Sequence, residues 1–511
     1  MATSRFSRRS FMKHTAAAVS APLVAQTGRR PPNFVVIFAD DLGYGDLACY
    51  GSTVNETPHL DRMAKEGARF TNFYVPMPYC APSRTTLLTG RYPFRSGMTT
   101  NPAPDSGIND VGLPADEITI AEALKPVGYT SICIGKWHLG HLPKFLPRTQ
   151  GFDEYYGILY SNDMRPVQIV HNESVAQYPV VQANLTRDYT KKAVEFIEKN
   201  KTKPFFLYLP HAMPHKPVAA SEEFYSAGRK PLYADVIKEL DWSVGQILKA
   251  LQDRGLDDNT LVIFSSDNGP WYGGSTAGLR GMKSSGWDGG TNVPLIARWP
   301  GRIPAAVEQK EVVSSIDIFP TICKLAGARI PTDRTIDGLD IFPLMQSASV
   351  KSPHEAIFAM QGPLLHWVRS GKWKLHVRKA VGSQGPMEAA QVANWVDPRG
   401  PDGVTLIAPF EQAKPSQYPG VHSGDPAKEM MLFDLEQDRA EQKDVAAQHP
   451  DVVARLKSMF DKMDAEVAKV PQQRGDGSAG IMRLTGGALQ YDNAPAAAPA
   501  IRTAKPKTRA R

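Results

Sequence analysis

The sequence predicts an α/β fold: a large, mostly parallel sheet flanked by helices, plus a smaller C-terminal unit with an antiparallel sheet and a helix. Three observations predict it. Four apolar, β-branched runs end abruptly in polar residues: NFVVIFADD, YTSICIGKWHLG, PFFLYLPHAMPH and NTLVIFSSDNG. Short continuous runs bounded by turn residues suit strands buried on both faces. Between them lie helix-like stretches, among them TPHLDRMAKEGA, TRDYTKKAVEFIEKN and YADVIKELDWSVGQILKALQDRG. Strands alternating with helices imply a mainly parallel sheet with both faces covered. After Pro353 the pattern changes to strand-like runs (AIFAMQGPLLHWVRSGKWKLHV) and one amphipathic stretch near the end (VVARLKSMFDKMDAEV).

In chain order, residues 1–28 come first. SRRSFMK, Ser7 to Lys13, is followed by the weakly apolar HTAAAVSAPLVA. A basic, apolar, small-residue order is that of a signal peptide, and the paired arginines fit a twin-arginine export signal. The apolar run is too short to span a bilayer, which takes about 20 residues. No cysteine lies near the cleavage region around Ala21–Ala25, so no membrane anchor is expected. The mature protein is expected to be periplasmic or secreted. A catalytic domain is expected over 31–350 and a smaller C-terminal subdomain over 351–470. The long Gly/Pro-rich stretch from about Ala380 to Lys428 reads as a functional or disordered loop. Residues 471–511, rich in Ala, Pro, Gly and basic residues, are expected to be a disordered tail.

Composition narrows the function. The net charge of +7 over 511 residues is concentrated at the ends: Arg5, Arg8, Arg9 and Lys13 at the start, and five basic residues in the final IRTAKPKTRAR. The body is near neutral, so no basic face for nucleic acid is expected. Four cysteines are too few for a disulfide scaffold. Cys49, Cys133 and Cys323 sit in apolar or small surroundings and read as buried structural thiols. Cys80 does not.

In an open α/β sheet, ligands bind beyond the carboxyl ends of the strands. Asp40 and Asp41 close the first run, and Asp267 and Asn268 close the fourth. Three carboxylates and an amide on one rim would repel one another unless a cation intervened. Oxygen donors of this kind select Ca²⁺ or Mg²⁺ over Zn²⁺. Lys136 and His138 close the second run, where extended spacing of two puts both on one side. His211 and His215 follow the third, and Lys283 lies in LRGMKSSGWDGG. Cationic groups converging on a metal-bearing rim suit a tetrahedral oxyanion, with one acidic proton for a leaving group. Pro82 and Ser83 are natural first-turn residues, so SRTTLLTG predicts a short helix closed by Gly90, with Cys80 at its N-terminus. Anions are favoured there. A thiolate beside carboxylates and a hard cation is poor chemistry, and an oxygen nucleophile derived from the cysteine fits better.

These residues resemble the type I, formylglycine-dependent sulfatases of the alkaline phosphatase superfamily, in particular the arylsulfatase and N-acetylgalactosamine-6-sulfatase group. CAPSRTTLLTGR matches the pattern C-x-P-S-R-x-x-x-L-T-G-R at every fixed position. The likeness extends through FADDLGYGDLACYG, GKWHLG, GILYSND, MPHKP, SDNGP and WDGGTNVPLIARWPG to LFDLEQD. The resemblance implies an alkaline phosphatase-like fold and hydrolysis of a sulfated carbohydrate or aryl sulfate. It implies that a formylglycine-generating enzyme converts Cys80, before export, to 3-oxoalanine (formylglycine), which rests as a geminal diol. It implies that Asp40, Asp41, Asp267 and Asn268 hold Ca²⁺, with residue 80 as a further ligand. One hydroxyl would attack sulfur, with Asp267 as base. Arg84 would steady the diol, and Lys136, His215 and Lys283 would bind sulfate or stabilise the leaving oxygen. Ser161 would bond near the sulfate. His138 would take a proton from the second hydroxyl, so that sulfate is expelled and the aldehyde regenerated.

Two positions depart from the family pattern. Asp288 stands where Glu is usual, which puts the contacts around Lys283 in question. LPHAMPHKP offers two histidines. His215, before Lys-Pro, fits the site, and His211 is expected behind it. The alternatives are a phosphomonoester, phosphodiester or phosphonate hydrolase of the same superfamily, or a non-catalytic binding protein if Cys80 stays unmodified.

Overall fold

The computed structural model describes residues 30–103, 110–164, 167–382 and 414–473, and the backbone of two strands at 481–485 and 488–492. The expected export segment and most of the long Gly/Pro-rich loop lie outside the described residues. Among the described residues, no helix is long and apolar enough to cross a membrane.

The first strands are β1 (Asn33–Ala39), β2 (Ala68–Tyr74), β3 (Thr130–Ile134), β4 (Glu154–Gly157), β5 (Ile169–His171) and β6 (Ser174–Gln177). They are followed by β7 (Phe205–Pro210), β8 (Thr260–Ser266), β9 (Asn292–Arg298), β10 (Val307–Gln309) and β11 (Val313–Ser314). These strands belong to one large sheet in the order β10-β2-β9-β8-β1-β7-β3-β4-β5-β6, with β11 beside β2. The four runs read from the sequence are β1, β3, β7 and β8. They lie side by side and parallel at the centre. The sheet is mixed, because β9 runs antiparallel to both β8 and β2, and β4, β5 and β6 turn back on one another.

The pleat of β1 shows why its run is unbroken. Phe34, Val36 and Phe38 enter one apolar layer, and Val35, Ile37 and Ala39 enter the other. The second layer is built with the amphipathic helices Leu185–Asn200 and Leu232–Asp253. Register then sets the rim. Ala39 pairs with Ser266, so Asp40 and Asp267 leave neighbouring strands at the same level.

A separate antiparallel sheet follows: β12 (Ile357–Gln361), β13 (Leu364–Ser370), β14 (Trp373–His376) and β15 (Met431–Asp434). The helix Pro450–Val467 packs on it through Leu456 and Phe460. Within the span expected to be a disordered tail, β16 (Ile481–Thr485) and β17 (Ala488–Asp492) form a hairpin, and Ala488 pairs with Ser174 of β6. In the sequence a Gly-Gly pair stands between IMRLT and ALQYD, and such a pair between two strand-like runs is a hairpin signal.

The link between the sheets carries one titrating contact. His354 Nε2 lies 2.7 Å from Asp317 Oδ1, and Asp317 also accepts the backbone N–H groups of Ser314 and Leu339. Burial opposes the imidazolium, but the adjacent Asp317 charge outweighs it and raises His354 above the ordinary histidine value. A raised folded-state value contributes stability that is complete below the unfolded value and is lost as pH rises through the folded one. His354→Gln is therefore expected to cost about 2 kcal/mol at about pH 5. The cost should shrink by about pH 9. Denaturant unfolding of both proteins at the two pH values checks this.

Candidate active site

Cys80 opens the helix Cys80–Thr89, and every residue of that helix is buried. The side chain of Asn101 accepts the Ala81 N–H at 3.0 Å. Gly90 ends the helix in the left-handed region (φ 71°), where an added Cβ would come within 3.0 Å of Phe319. The helix start therefore faces the rim formed by β1 and β8. Cys80 Sγ lies 3.5 Å from Asp40 Oδ1 and 3.4 Å from Lys283 Nζ.

The carboxylates and cations form one buried cluster. Arg84 donates to Asp267 Oδ2 (2.7 Å) and to the Lys136 carbonyl (2.8 Å), and Asp40 Oδ2 lies 3.7 Å from the same guanidinium. Lys136 Nζ pairs with Asp40 and donates to Ser161 Oγ at 3.0 Å. Ser161 Oγ lies 3.3 Å from His215 Nδ1. Lys283 Nζ pairs with Asp41 Oδ1 at 2.5 Å. Asn268 Nδ2 donates to the same Asp41 oxygen, and Asp41 N donates to Asp267 Oδ1. Asp41 and His138 hold left-handed backbone at φ 63° and 57°, a conformation uncommon outside glycine and tolerated best by Asp, Asn and His.

Charge sets the proton balance. Burial opposes ionisation of Asp40, but Lys136, His215, Arg84 and Lys283 together hold it well below the usual carboxylate range. Burial and the neighbouring Asp40 charge push Asp267 up to about 7, against Arg84. This is the carboxylate repulsion that the sequence implied. Burial pushes the Cys80 thiol up to about 12. Burial, then Lys136 and Arg84, keeps His138 well below its ordinary value.

One buried group of side chains could hold a metal ion. Oxygens of Asp40 and Asp41, Cys80 Sγ and a His215 nitrogen all lie within 4.8 Å of one another. Among the described residues, the buried Asp41 Oδ2 and Asn268 Oδ1 have no hydrogen-bond partner. Buried oxygens without partners are rare and suit a site that takes Ca²⁺ or Mg²⁺.

A family model described as Sulfatase matches residues 32–328. The chain belongs to the sulfatase family. It is an enzyme that hydrolyses sulfate esters. A second model, the C-terminal region of aryl-sulfatase, matches residues 352–484 of this sulfatase. N-acetylgalactosamine-6-sulfatase of Canis lupus familiaris is 41% identical over 386 residues, 70% of this chain and 74% of that protein. Arylsulfatase A of Homo sapiens is 39% identical over 386 residues, 68% of this chain and 75% of its own. The solved structure of Ps i-CgsB in complex with k-i-k-neocarrahexaose matches with a TM-score of 0.69 at 27% identity, covering 88% of this sulfatase and 94% of that chain.

The structure brings Asp40, Asp41, Cys80, Arg84, Lys136, Ser161, His215, Asp267, Asn268 and Lys283 into this one cluster. His138 is buried beside it, with Nε2 3.1 Å from the Pro102 carbonyl. Contrary to the extended spacing, Lys136 and His138 do not stand on one strand face. β3 ends at Ile134, and the two residues lie in irregular backbone beyond it, with their N–H groups bonded to the Pro210 and Leu159 carbonyls. His211 points to Ser243 and Tyr189 in the helical layer and does not join the cluster. Cys133 and Cys323 are buried, whereas Cys49 is half-buried. Two polar residues went unread in the sequence. Asn162 holds His215 Nδ1 at 3.0 Å. Asp46 accepts the Gly43 and Ser275 N–H groups and the Tyr233 hydroxyl, which joins the loops after β1 and β8. Asn162 sits inside the quoted YSND and Asp46 inside FADDLGYGD, so motif membership was the available signal.

Proposed function

We propose that the protein is an exported carbohydrate sulfatase in which residue 80 works as formylglycine beside a bound Ca²⁺. The observation that carries this reading is the setting of Cys80. A thiol raised to about 12 is protonated at neutral pH and is a poor nucleophile. Its sulfur also faces a carboxylate cluster suited to a hard ion, which prefers oxygen. An oxygen at this position suits both. As its hydrate, formylglycine offers two hydroxyls on one carbon, one to take the sulfuryl group and one whose deprotonation releases it. Asp40, Asp41, Asp267 and Asn268, with residue 80, would hold the cation, which would polarise a sulfate oxygen and ease deprotonation of a hydroxyl.

The chain's own residues support these steps. His138 Nε2 meets a carbonyl, which can only accept, so Nε2 carries the hydrogen. Nδ1 is then the basic nitrogen, and burial keeps it unprotonated and ready to take a proton from residue 80. His215 Nδ1 lies 2.6 Å from the Lys216 carbonyl, so it too is the protonated nitrogen. A proton carried on Nε2 as well, 3.8 Å from Asp41, is what His215 would give to the leaving oxygen. Lys136 and Lys283 supply positive charge to sulfate oxygens, with Ser161 as a hydrogen-bond partner beside Lys136. Arg84 fixes Asp267, the base for the attacking hydroxyl, in position.

A carbohydrate substrate is supported by relatives named N-acetylgalactosamine-6-sulfatase and by a solved likeness in complex with k-i-k-neocarrahexaose. The reading includes a formylglycine-generating enzyme acting in the cytoplasm, then twin-arginine export of the folded chain. It also divides the chain into a catalytic domain over 31–350 and a subdomain over 351–470, in line with the two sheets. In a host with the maturation enzyme, the tryptic peptide bearing residue 80 is expected to be lighter by sulfur and two hydrogens exchanged for one oxygen. It should also resist thiol reagents. An ordinary thiol in fully active enzyme would refute the reading. Chelation should abolish activity, and added Ca²⁺ should restore it. Turnover of nitrophenyl sulfate should exceed that of nitrophenyl phosphate. The reverse order would favour the phosphate-ester alternative.

A further inference from the structure

Lys283 lies on a loop held from two sides. On one side it is tied to the Cys80 segment and the loop after β8: Ser284 N donates to the Pro78 carbonyl (3.2 Å), and Lys283 N to the Pro270 carbonyl (3.0 Å). On the other side it meets the small sheet through a buried polar network. Asp288 N donates to Glu441 Oε2 at 2.7 Å. The Asp288 carboxylate accepts from Lys374 Nζ and from the Tyr74 hydroxyl, each at 2.6 Å. Lys374 Nζ also pairs with Glu441 Oε1 at 2.9 Å, and His376 Nε2 meets that same oxygen at 2.6 Å.

Arg280, at the start of the loop, closes the ring. Its guanidinium donates to the Glu441 carbonyl (2.8 Å) and the Asp425 carbonyl (2.9 Å), and stacks 3.8 Å over the Trp287 ring. Gly289 N returns to the Arg280 carbonyl at 2.7 Å. Asp288, Lys374 and Glu441 are at most 1% exposed. Both carboxylates share the Lys374 ammonium, while the Arg280 guanidinium binds the Glu441 backbone beside them. A satisfied buried network specifies one geometry, and a partly satisfied one costs heavily.

We infer that Glu441 and Lys374, far along the chain from the rim, are positioning residues for Lys283: through Asp288 and Arg280 they fix the loop that aims its ammonium at residue 80. This rests on the reading of Lys283 as a sulfate-binding group. It accounts for the shorter Asp at position 288. The carboxylate there is shared between Lys374 and Tyr74, and Glu441 supplies the second acidic side chain. The small sheet is thus part of the sulfate site without touching sulfate.

A double-mutant cycle separates this from a purely structural role. Glu441→Gln keeps the shape but removes the charge. It is expected to lower kcat/KM for nitrophenyl sulfate by about 10- to 100-fold, the scale of a misplacement of about 1 Å. It should also weaken inhibition by inorganic sulfate, as Lys283→Ala is expected to do. In the Lys283→Ala background, Glu441→Gln should lower kcat/KM by no more than about two-fold further, because coupled residues are not additive. If the two losses multiply, the network serves stability alone and the inference is overturned. If Lys283→Ala by itself leaves kcat/KM and sulfate inhibition unchanged, the sulfate-binding reading of Lys283 falls first and takes the inference with it. Should Glu441→Gln not fold, Arg280→Lys runs the same cycle, since it keeps the charge and loses the forked pair of bonds.

Discussion

Cys80→Ser is expected to lower steady-state sulfate-ester hydrolysis by about 10⁴-fold or more, the scale seen when a nucleophile is removed. The serine hydroxyl occupies the position that the sulfur holds 3.5 Å from Asp40. It can attack sulfur once. The product is a sulfate ester on a carbon with no second hydroxyl, so His138 finds no proton whose removal would expel sulfate. The expected result is release of one equivalent of nitrophenol, followed by arrest, with the residue 80 peptide heavier by one SO₃ group. Cys80→Ala should give no burst. Full turnover by Cys80→Ser would show that the second hydroxyl is not needed.

The parts of this molecule that were legible in the sequence are those fixed by local pattern. β1, β3, β7 and β8 could be read because strands buried on both faces need unbroken apolar runs, and their shared rim follows from parallel neighbours. The helix at Cys80 could be read from Pro82, Ser83 and Gly90. The hairpin at Ile481–Thr485 and Ala488–Asp492 escaped because its short runs lie in an Ala-, Pro- and Gly-rich stretch. The Lys136–His138 geometry escaped for a different reason. A pleat argument assumes the strand continues, but Gly135 at φ 128° ends it. Hardest of all was the Glu441–Lys374–Asp288 network. Its members are spread from the loop before β9 to the segment after β15, and only tertiary packing brings buried opposite charges together.

Arg84 carries the second large effect, because its guanidinium joins the two sides of the rim. It bonds to Asp267 beyond β8 and to the Lys136 carbonyl beyond β3, and lies 5.8 Å over the Phe38 ring of β1, fully buried. Removing one partner from a buried ion pair costs about 3–5 kcal/mol, because the other charge stays in low dielectric. Arg84→Met is therefore expected to lose about that much in denaturant unfolding. Asp40 keeps Lys136 as a partner, whereas among the described residues Asp267 keeps the Asp41 N–H as its hydrogen-bond donor. With the guanidinium gone, burial and the Asp40 charge act on Asp267 with less opposition, and its carboxyl holds its proton to higher pH. Hydrolysis should fall by about 10²- to 10³-fold, as when one preorganised polar group is lost from a reacting centre. Arg84→Lys separates charge from shape. Its single ammonium restores much of the stability, yet it cannot bond in two fixed directions to Asp267 and the Lys136 carbonyl. If position 84 acts through geometry, Arg84→Lys stays nearly as inactive as Arg84→Met while unfolding later. If it acts through charge alone, stability and activity recover together.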